Sequence, residues 1–172
     1  MALARLVSCG GTAMAIQCGH RQSVDLDFFT SKQELSIETT IKKLAVEWHT
    51  TLREKGTLYG ELFDTKVSFI VNPNFKPSSA FHAYGSITIL DIKDIAVMKP
   101  LAVSRRGTKR DFFDLFWYAE HKEGLSSVFS RFPKHYPHRN YNLHHILKGL
   151  MYFEDAENDP DPVIFLTQAG KR

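Results

Sequence analysis

The sequence contains little cysteine and no long apolar run. Cys9 and Cys18 are its two cysteines, and their spacing forms neither a Cys-x-x-Cys pair nor a disulfide framework, which favours a reducing cytoplasm. No apolar stretch approaches the ~18 residues that a membrane helix needs, so no membrane partner is predicted. The apolar stretch within residues 1–5 is also too short for a signal peptide.

Internal repeats, low-complexity tracts and long linkers are absent as well. At ~100–200 residues per domain, the 172 residues predict a single domain over 1–172. The apolar fraction of 43% and the charged fraction of 24% exclude a disordered chain. We expect a sheet-containing part over about 1–90, a helical part over about 91–153, and an acidic tail over 154–172.

The net charge of +3 is small, but its distribution is uneven. The tail over 154–172 is acidic, whereas four bases crowd together at Arg105, Arg106, Lys109 and Arg110. Such a cluster suits a phosphate-rich partner and makes these four residues candidates for binding an acceptor. A solvated loop is the alternative.

Apolar periodicity and breaker residues predict strands first and helices after. Thr12 is expected to cap the first helix and Asp91 to cap the helix over 92–104, and Pro100 is expected to kink that helix or end it early. The result is an α+β fold with a small sheet and a helical C-terminal half. The predicted helices cover 12–18, 37–54, 92–104, 109–121 and 141–153, and the predicted strands cover 24–29, 62–71 and 86–90.

The segment from Gly10 to Asp27 carries the clearest chemical signal. Asp25 and Asp27 are two residues apart on a predicted strand, so their carboxylates project from one face. Magnesium prefers such hard oxygen ligands, completed by phosphates and water. Gly10 and Gly11 precede a helix, where the backbone can approach a phosphate. Either feature alone is weak, but together they predict a site for a metal ion and phosphates.

These motifs are similar to those of a known family. Residues 10–15 (Gly-Gly-Thr-Ala-Met-Ala) and 19–29 (Gly-His-Arg-Gln-Ser-Val-Asp-Leu-Asp-Phe-Phe) resemble the opening motif of the AbiEii/AbiGii toxins, nucleotidyltransferases of the DNA polymerase β superfamily. Residues 94–99 with 105–115 resemble the family's second signature block, and 152–160 is similar as well. The resemblance covers nearly the whole chain and implies a small mixed nucleotidyltransferase-type sheet flanked by helices.

The resemblance implies catalytic roles for four residues. Asp25 and Asp27 would hold Mg²⁺, or Mn²⁺, and the nucleoside triphosphate. Lys99 would touch a phosphate or the base, and Asp111 would be an additional catalytic acid or base. From the residues alone, Lys99 reads as a snorkelling helix lysine and Asp111 as a first-turn acid that favours the helix dipole.

Further residues are candidates for binding the nucleotide. By resemblance, Gly10, Gly11 and Thr12 would line the phosphates. Arg21 either forks onto a phosphate or forms a structural ion pair, and Ser23 either bonds a phosphate or caps the turn.

The sequence departs from the family pattern at two places. The superfamily commonly has a third carboxylate on the neighbouring strand, and the register places Ser68 at that position. Asp64 is expected on the same strand face but roughly 13 Å away at ~3.3 Å per residue, so it cannot substitute. Only nine residues precede Gly10, which predicts either a shortened gene product or a family member with a trimmed start.

The resemblance implies a Mg²⁺-dependent nucleotidyltransferase that moves a nucleoside monophosphate from an NTP to an RNA (tRNA-like) or protein acceptor. It would be the toxin of an AbiE-type toxin–antitoxin or phage-defence system, with a cognate antitoxin. The alternative is a catalytically degenerate nucleotide-binding or protein-interaction module of the same fold. Ser68 favours that alternative, and the intact Asp25–Asp27 pair opposes it.

Overall fold

A computed structural model gives the fold and describes residues 6–31, 41, 47–138 and 141–165. Within these residues the chain forms one seven-stranded sheet in the order β3-β4-β5-β2-β1-β7-β6. The pairs β2–β5 and β1–β7 are parallel and the other neighbours are antiparallel. The strands are β1 (Val7–Cys9), β2 (Leu26–Thr30), β3 (His49–Glu54), β4 (Thr57–Leu62), β5 (Thr65–Val71), β6 (His82–Tyr84) and β7 (Ile87–Ile89).

One helix follows β1 and the other described helices follow the sheet. This arrangement confirms the predicted α+β class with a mixed sheet and a helical C-terminal half. None of the described helices combines the length and the apolar character that crossing a bilayer requires. The helices are α1 (Gly10–Cys18), α2 (Ile92–Arg106), α3 (Lys109–His121), α4 (Leu125–Ser130), α5 (Phe132–His135), α6 (Leu143–Leu150) and α7 (Glu154–Glu157).

Helix α2 begins and ends at strong capping residues in the sequence. Its N-cap Asp91 accepts a hydrogen bond from the Lys93 backbone N–H, and it ends at Gly107, which is left-handed with φ of 55°. The expectation that Pro100 ends the helix early is wrong, because the helix continues to Arg106. Pro100 lies on the buried face, where packing against the core offsets the missing N–H.

The single strand predicted over 62–71 is a hairpin instead. Phe63 and Asp64 have φ of 50° and 57°, which is the geometry of a two-residue turn joining β4 to β5. Asp64 therefore lies in an exposed turn and not on the strand face. The turn contains neither glycine nor proline and therefore carries no breaker signal.

Other predicted boundaries shift by larger amounts. The helix predicted over 37–54 is wrong at its end, because His49–Glu54 is a strand that pairs with β4. Most of the remaining prediction falls on 37–40 and 42–46, which lie outside the described residues. The helix predicted over 141–153 is shorter in the structure, where α6 covers Leu143–Leu150. The strand predicted over 24–29 begins at Leu26, so Asp25 immediately precedes β2.

The core fixes α1 and α2 against the centre of the sheet. Its buried members include Met14 from α1, Phe29 from β2 and Ile95 from α2. Burying an aliphatic or aromatic side chain contributes ~1.5–3 kcal/mol. This packing holds the start of α1, Asp27 on β2 and the C-terminal half of α2 close together.

Candidate active site

An open cleft of about 560 Å³ collects most of the residues that the sequence singled out. Its walls come from the start of α1, the loop before β2, strand β5 and the start of α3. The site residues predicted from the sequence that line it are Gly11, Thr12, Arg21, Ser23, Asp25, Asp27, Arg106, Arg110 and Asp111.

Asp27 sits at the centre of the sheet with few restraints on its carboxylate. In the parallel pairing of β2 with β5, Asp27 lies opposite Ser68, as the predicted register required. The Ser68 hydroxyl donates a hydrogen bond of 2.5 Å to Asp27 Oδ1. The other oxygen, Oδ2, lies so close to Gly10 that a Cβ at that position would overlap it. Gly10 also has φ of 74°, so both its conformation and its neighbour require glycine.

Asp25 faces the same cleft from the loop before β2. Its carboxylate is 36% exposed and accepts one bond of 3.2 Å from Arg110 Nη1. The Thr12 hydroxyl donates to the Asp25 carbonyl oxygen and lies 2.7 Å from the Ser23 hydroxyl. The prediction that Thr12 caps α1 is wrong, because the N-cap is Cys9 and Thr12 lies inside the helix. Thr12 instead fastens α1 to the loop that carries Ser23 and Asp25.

The donor set of this wall suits a divalent cation that arrives with phosphates. Asp25 and Asp27 supply carboxylate oxygens, the ligands that Mg²⁺ and Mn²⁺ accept. Across the described ranges, no group of three or more His, Cys, Asp or Glu side chains is arranged to hold a metal ion. A protein site of two carboxylates fits Mg²⁺, which completes its coordination with substrate phosphates and water.

Behind this wall, Asp114 on α3 is fully buried and surrounded by cations. It accepts hydrogen bonds from Arg21 Nε and Nη2 at 2.6 and 2.9 Å, and from Lys99 Nζ at 2.5 Å. His20 Nε2 lies 2.7 Å from the same carboxylate. Burial alone would raise the pKa of Asp114, but Lys99, Arg21 and His20 hold it well below its ordinary range. Of the two predicted roles for Arg21, the geometry therefore places it in the structural ion pair.

Asp111, one turn earlier on α3, is enclosed in the same way. It accepts hydrogen bonds from Lys99 Nζ at 2.9 Å, from Arg106 Nε at 2.6 Å and from Thr108 Oγ1 at 2.7 Å. Burial is again outweighed, and Lys99 and Arg106 keep the pKa of Asp111 well below its usual range. A carboxylate so strongly stabilised as the anion is a weak base, so these contacts do not favour a general-base role.

Lys99 is the centre of this buried network. Its side chain is almost fully buried, and its ammonium group donates to both Asp111 and Asp114. Burial disfavours the charged form, but the two aspartates raise the pKa of Lys99 above its ordinary value. The alternative of a snorkelling surface lysine is therefore wrong.

The network also explains the second glycine of the Gly-Gly pair. A Cβ on Gly11 would overlap Nη2 of Arg21, the nitrogen that Asp114 holds. Gly10 is thus required by Asp27 and Gly11 by Arg21. Sequence reasoning missed Asp114 and His20 as partners of this turn, since the only available signal was the i, i+3 spacing of Asp111 and Asp114 on one helix.

The basic cluster predicted at 105–110 is divided by ion pairs. Arg106 pairs with Asp111, Lys109 Nζ lies 2.9 Å from Asp161, and Arg110 pairs with Asp25. Arg105 is exposed, and no described carboxylate pairs with it. The four residues therefore do not form one free cationic surface.

Both cysteines are free thiols in unreactive surroundings. Cys9 ends β1 and is buried, and burial raises the pKa of its thiol. Burial likewise raises the pKa of Cys18 to about 11. Neither is activated as a nucleophile.

Comparisons with known proteins agree with the motifs and the fold. The family model for the nucleotidyl transferase AbiEii toxin of a type IV toxin–antitoxin system matches residues 4–69. The uncharacterized protein aq_aa25 of Aquifex aeolicus is 39% identical over 159 residues, which span 87% of this chain and 74% of that protein.

Solved structures share the architecture at low sequence identity. The crystal structure of JHP933 from Helicobacter pylori has a TM-score of 0.52 at 20% identity, covering 86% of this chain and 82% of that one. A second crystal structure from H. pylori has a TM-score of 0.50 at 18% identity, covering 86% of this chain and 84% of that one. The Gly-Gly turn, the Asp-x-Asp strand and the family match coincide within residues 4–69, and this chain belongs to the AbiEii family of nucleotidyltransferase toxins.

Proposed function

We propose that this chain transfers a nucleoside monophosphate from an NTP to an acceptor hydroxyl, with Asp25 and Asp27 holding Mg²⁺ or Mn²⁺. The observation that carries the proposal is the open carboxylate pair, which faces the same cleft as the glycine turn at the start of α1. Each carboxylate has a single side-chain hydrogen-bond donor among the described residues, Arg110 for Asp25 and Ser68 for Asp27. Oxygen lone pairs therefore remain for a metal ion.

The triphosphate would bind beside α1. Gly10 and Gly11 start that helix, where backbone N–H groups and the positive end of the dipole favour phosphate. The Thr12 and Ser23 hydroxyls lie together in the same wall and offer further donors. Arg21 supports the turn from beneath Gly11, because its guanidinium is already engaged by Asp114 and by the Gln22 carbonyl.

In the proposed reaction the acceptor oxygen attacks the α-phosphorus and forms the new P–O bond. The bond between the α-phosphorus and the oxygen bridging to the β-phosphate breaks, and pyrophosphate leaves. The proton of the acceptor hydroxyl passes to water in the open cleft. A bound divalent cation would neutralise charge on the phosphates. Phosphoryl transfer depends mainly on positioning and electrostatics, so it does not demand a strong protein base.

Lys99 and Asp111 take positioning roles in this proposal. Their ion pair with Asp114 joins α2 to α3 directly behind the glycine turn. Arg106 reaches from the same network into the cleft, where it adds positive charge next to Asp27. Ser68 stands where a third carboxylate is common in the superfamily, and its hydroxyl donates a hydrogen bond to Asp27 Oδ1.

We further propose a cytoplasmic toxin whose acceptor is an RNA or a protein and whose activity is controlled by a cognate antitoxin. The family model supports the toxin role. The second candidate is a nucleotide-binding module without turnover, which the serine at position 68 favours.

The experiment uses purified protein, Mg²⁺, bacterial RNA and protein extract, and each common NTP labelled at the α- or the γ-phosphate. Nucleotidyl transfer carries the α-label onto the acceptor and releases the γ-label in pyrophosphate. Asp27→Asn should abolish incorporation. Asp64→Asn is the matched control, because Asp64 lies in the exposed β4–β5 turn. NTP binding without incorporation would establish the module instead.

A further inference from the structure

A segment that follows α7 lies against the loop that carries Asp25. We call residues 158–165 the strap, and they form an isolated antiparallel bridge with residues 20–22. The bridge consists of two backbone hydrogen bonds, from the Gln22 N–H to the Val163 carbonyl at 2.8 Å and from the Phe165 N–H to the His20 carbonyl at 3.0 Å. The strap therefore holds the backbone of the loop shortly before Asp25.

The other end of the strap is anchored to α3. The Asp159 carboxylate accepts a hydrogen bond of 2.9 Å from the backbone N–H of Lys109, the first residue of that helix. The N-cap residue Thr108 leaves this end of the helix to Asp159, because its own hydroxyl donates to Asp111. Asp159 therefore caps α3 from a distant part of the sequence, and its negative charge lies at the positive end of the helix dipole.

Two prolines favour an extended strap. Pro160 and Pro162 have a fixed φ, and each disfavours the helical conformation in the residue before it. The chain between Asp159 and the bridge therefore has fewer conformations to lose when it docks. The docked strap encloses a hollow of about 400 Å³ together with residues 22–24 of the loop and the start of α3.

The strap contributes little to the apolar core. The side chains of Val163, Ile164 and Phe165 are 59%, 46% and 50% exposed, so the strap is held mainly by backbone hydrogen bonds and by Asp159. A segment with few buried apolar contacts opens at a low free-energy cost and without global unfolding. Loss of the strap should therefore free the loop and leave the rest of the fold intact.

The loop between α1 and β2 has no other regular backbone pairing. From the inside, Asp114 holds the Arg21 side chain, and the Thr12 hydroxyl contacts Ser23 and the Asp25 carbonyl. From the outside, the strap supplies the backbone hydrogen bonds of the bridge.

We propose that the strap is a positioning element for this loop, which keeps Ser23 and Asp25 in the geometry that accepts a divalent cation together with an NTP. The strap touches neither ligand itself, and it acts by joining the loop to the fixed start of α3. This inference rests on the proposed function, because Asp25 is a metal ligand only in that proposal.

The first test examines the loop in the absence of any ligand. Phe165→Pro removes the N–H that the bridge uses, whereas Ile164→Pro, the matched control, removes an N–H that points away from the loop. Hydrogen–deuterium exchange of the Gln22 amide, followed by NMR, should become at least ~10-fold faster in Phe165→Pro because local opening exposes it. The control should keep a rate near that of the wild type.

The second test measures binding of Mn²⁺ in the presence of NTP by calorimetric titration. A freed loop is competent to bind for only part of the time, so the apparent affinity of Phe165→Pro should fall ~10-fold. In the transfer assay, KM for the NTP should rise by a similar factor while kcat at saturating NTP changes little. Ile164→Pro should match the wild type in both measurements.

Asp159 provides an independent variant at the other end of the strap. Asp159→Ala should lower the affinity ~5-fold, in keeping with a lost helix cap. Asp159→Asn should restore most of the affinity, because its amide oxygen still accepts from the Lys109 N–H. Asp161→Asn, which breaks only the exposed contact with the Lys109 ammonium group, is the control. Circular dichroism checks folding, and the Asp159 series decides the question if Phe165→Pro unfolds.

Three results would overturn the inference. One is unchanged affinity in a variant whose Gln22 amide exchanges faster, another is unchanged exchange in both Phe165→Pro and Asp159→Ala, and the third is an equal loss of affinity in the two proline variants. Failure of the proposed function would look different, because the wild type itself would bind no Mn²⁺ with NTP while exchange would still separate Phe165→Pro from Ile164→Pro.

Discussion

Two aspartate pairs lie close together in this molecule and have opposite surroundings. Asp25 and Asp27, at the start of β2, face an open cleft and each receives one side-chain hydrogen bond. Asp111 and Asp114, on α3, are buried and share Lys99 with further cations on either side. In our proposal the first pair supplies ligands for a metal ion, whereas the second pair is an internal counter-ion for buried cations.

The difference follows from how many donors satisfy each carboxylate. A buried anion is stable only when cations and hydrogen bonds surround it, and once they do, no lone pair is left for a ligand. An anion at the cleft keeps its free oxygens because water satisfies them until a metal ion arrives. Residue identity alone does not distinguish these cases, whereas burial and partner count do.

The largest expected effect comes from breaking the buried pair. Asp114→Asn leaves Lys99 and Arg21 buried without their full counter-charge, so the free energy of unfolding should fall by ~3–5 kcal/mol. Urea denaturation monitored by circular dichroism measures it. Asp161→Asn, which breaks the exposed pair with Lys109, is the control and should cost no more than ~1 kcal/mol. If Asp114→Asn and Asp161→Asn lost the same free energy of unfolding, the distinction between buried and exposed carboxylates would be wrong.

Substitution in the open pair, Asp25 and Asp27, should reduce activity and leave stability unchanged. Asp27→Asn removes a proposed metal ligand but keeps an oxygen that accepts from Ser68. Transfer should therefore fall by ~10²–10³-fold, a size typical of a lost electrostatic contact to the transition state. The melting temperature should stay near that of the wild type. A variant with normal turnover, or one that unfolds, would show that Asp27 is not the exposed ligand described above.

Acid should reduce the stability that the buried pair provides, because the pKa values of Asp111 and Asp114 are lowered in the folded chain. Because the pKa of Asp111 is lower in the folded than in the unfolded chain, its stabilising contribution is complete above the unfolded value of ~3.9 and is lost as pH falls toward the folded value. Asp94 acts in the same direction. Burial alone would raise its pKa, but hydrogen bonds with His135 and with the Ser78 and Ser79 backbone N–H groups lower it to about 2. The free energy of unfolding should therefore decrease with pH below ~4, and less steeply in Asp111→Asn. Parallel curves for the variant and the wild type would refute this.

The smallest expected effect comes from the ion pair of Arg110 with Asp25, both of which line the cleft at Asp27. Arg110 and Asp25 form an exposed pair at 3.2 Å, so Arg110→Gln should change the free energy of unfolding by at most ~1 kcal/mol. It also frees an oxygen of Asp25, and affinity for Mn²⁺ with NTP should stay equal or rise. Calorimetric titration with Mn²⁺ and NTP measures this affinity in the variant and the wild type. Weaker binding in the variant would mean that Arg110 itself contacts the phosphates.

The fold was predictable where local signals are strong. Asp91 and Gly107 mark the ends of α2, and α3 has the bounds 109–121 that its apolar spacing predicts. The β4–β5 turn was not predictable, because Phe63 and Asp64 adopt positive φ without glycine. Strand β3 was missed because an exposed edge strand lacks the apolar alternation that marks a half-buried one.

The site was predictable to the extent that it is local. The Gly-Gly turn and the Asp-x-Asp pair lie within 18 residues of sequence numbering, from position 10 to 27, and the register with Ser68 followed from the strand pattern. Asp114 and its partners come from three separate segments, at positions 20–21, 99 and 114. Only tertiary packing brings these together, so the buried role of Lys99 and Arg21 was not available from spacing.

The most direct test of the contrast between the two pairs is Mn²⁺ binding in the presence of NTP, followed by the electron paramagnetic resonance signal of free Mn²⁺. Wild type, Asp27→Asn and Asp114→Asn are titrated side by side below the melting temperature of the least stable variant. We expect Asp27→Asn to lose the NTP-dependent Mn²⁺ binding and keep its melting temperature, whereas Asp114→Asn should melt lower and keep the binding. Retained binding in Asp27→Asn, or its loss in folded Asp114→Asn, would contradict this expectation.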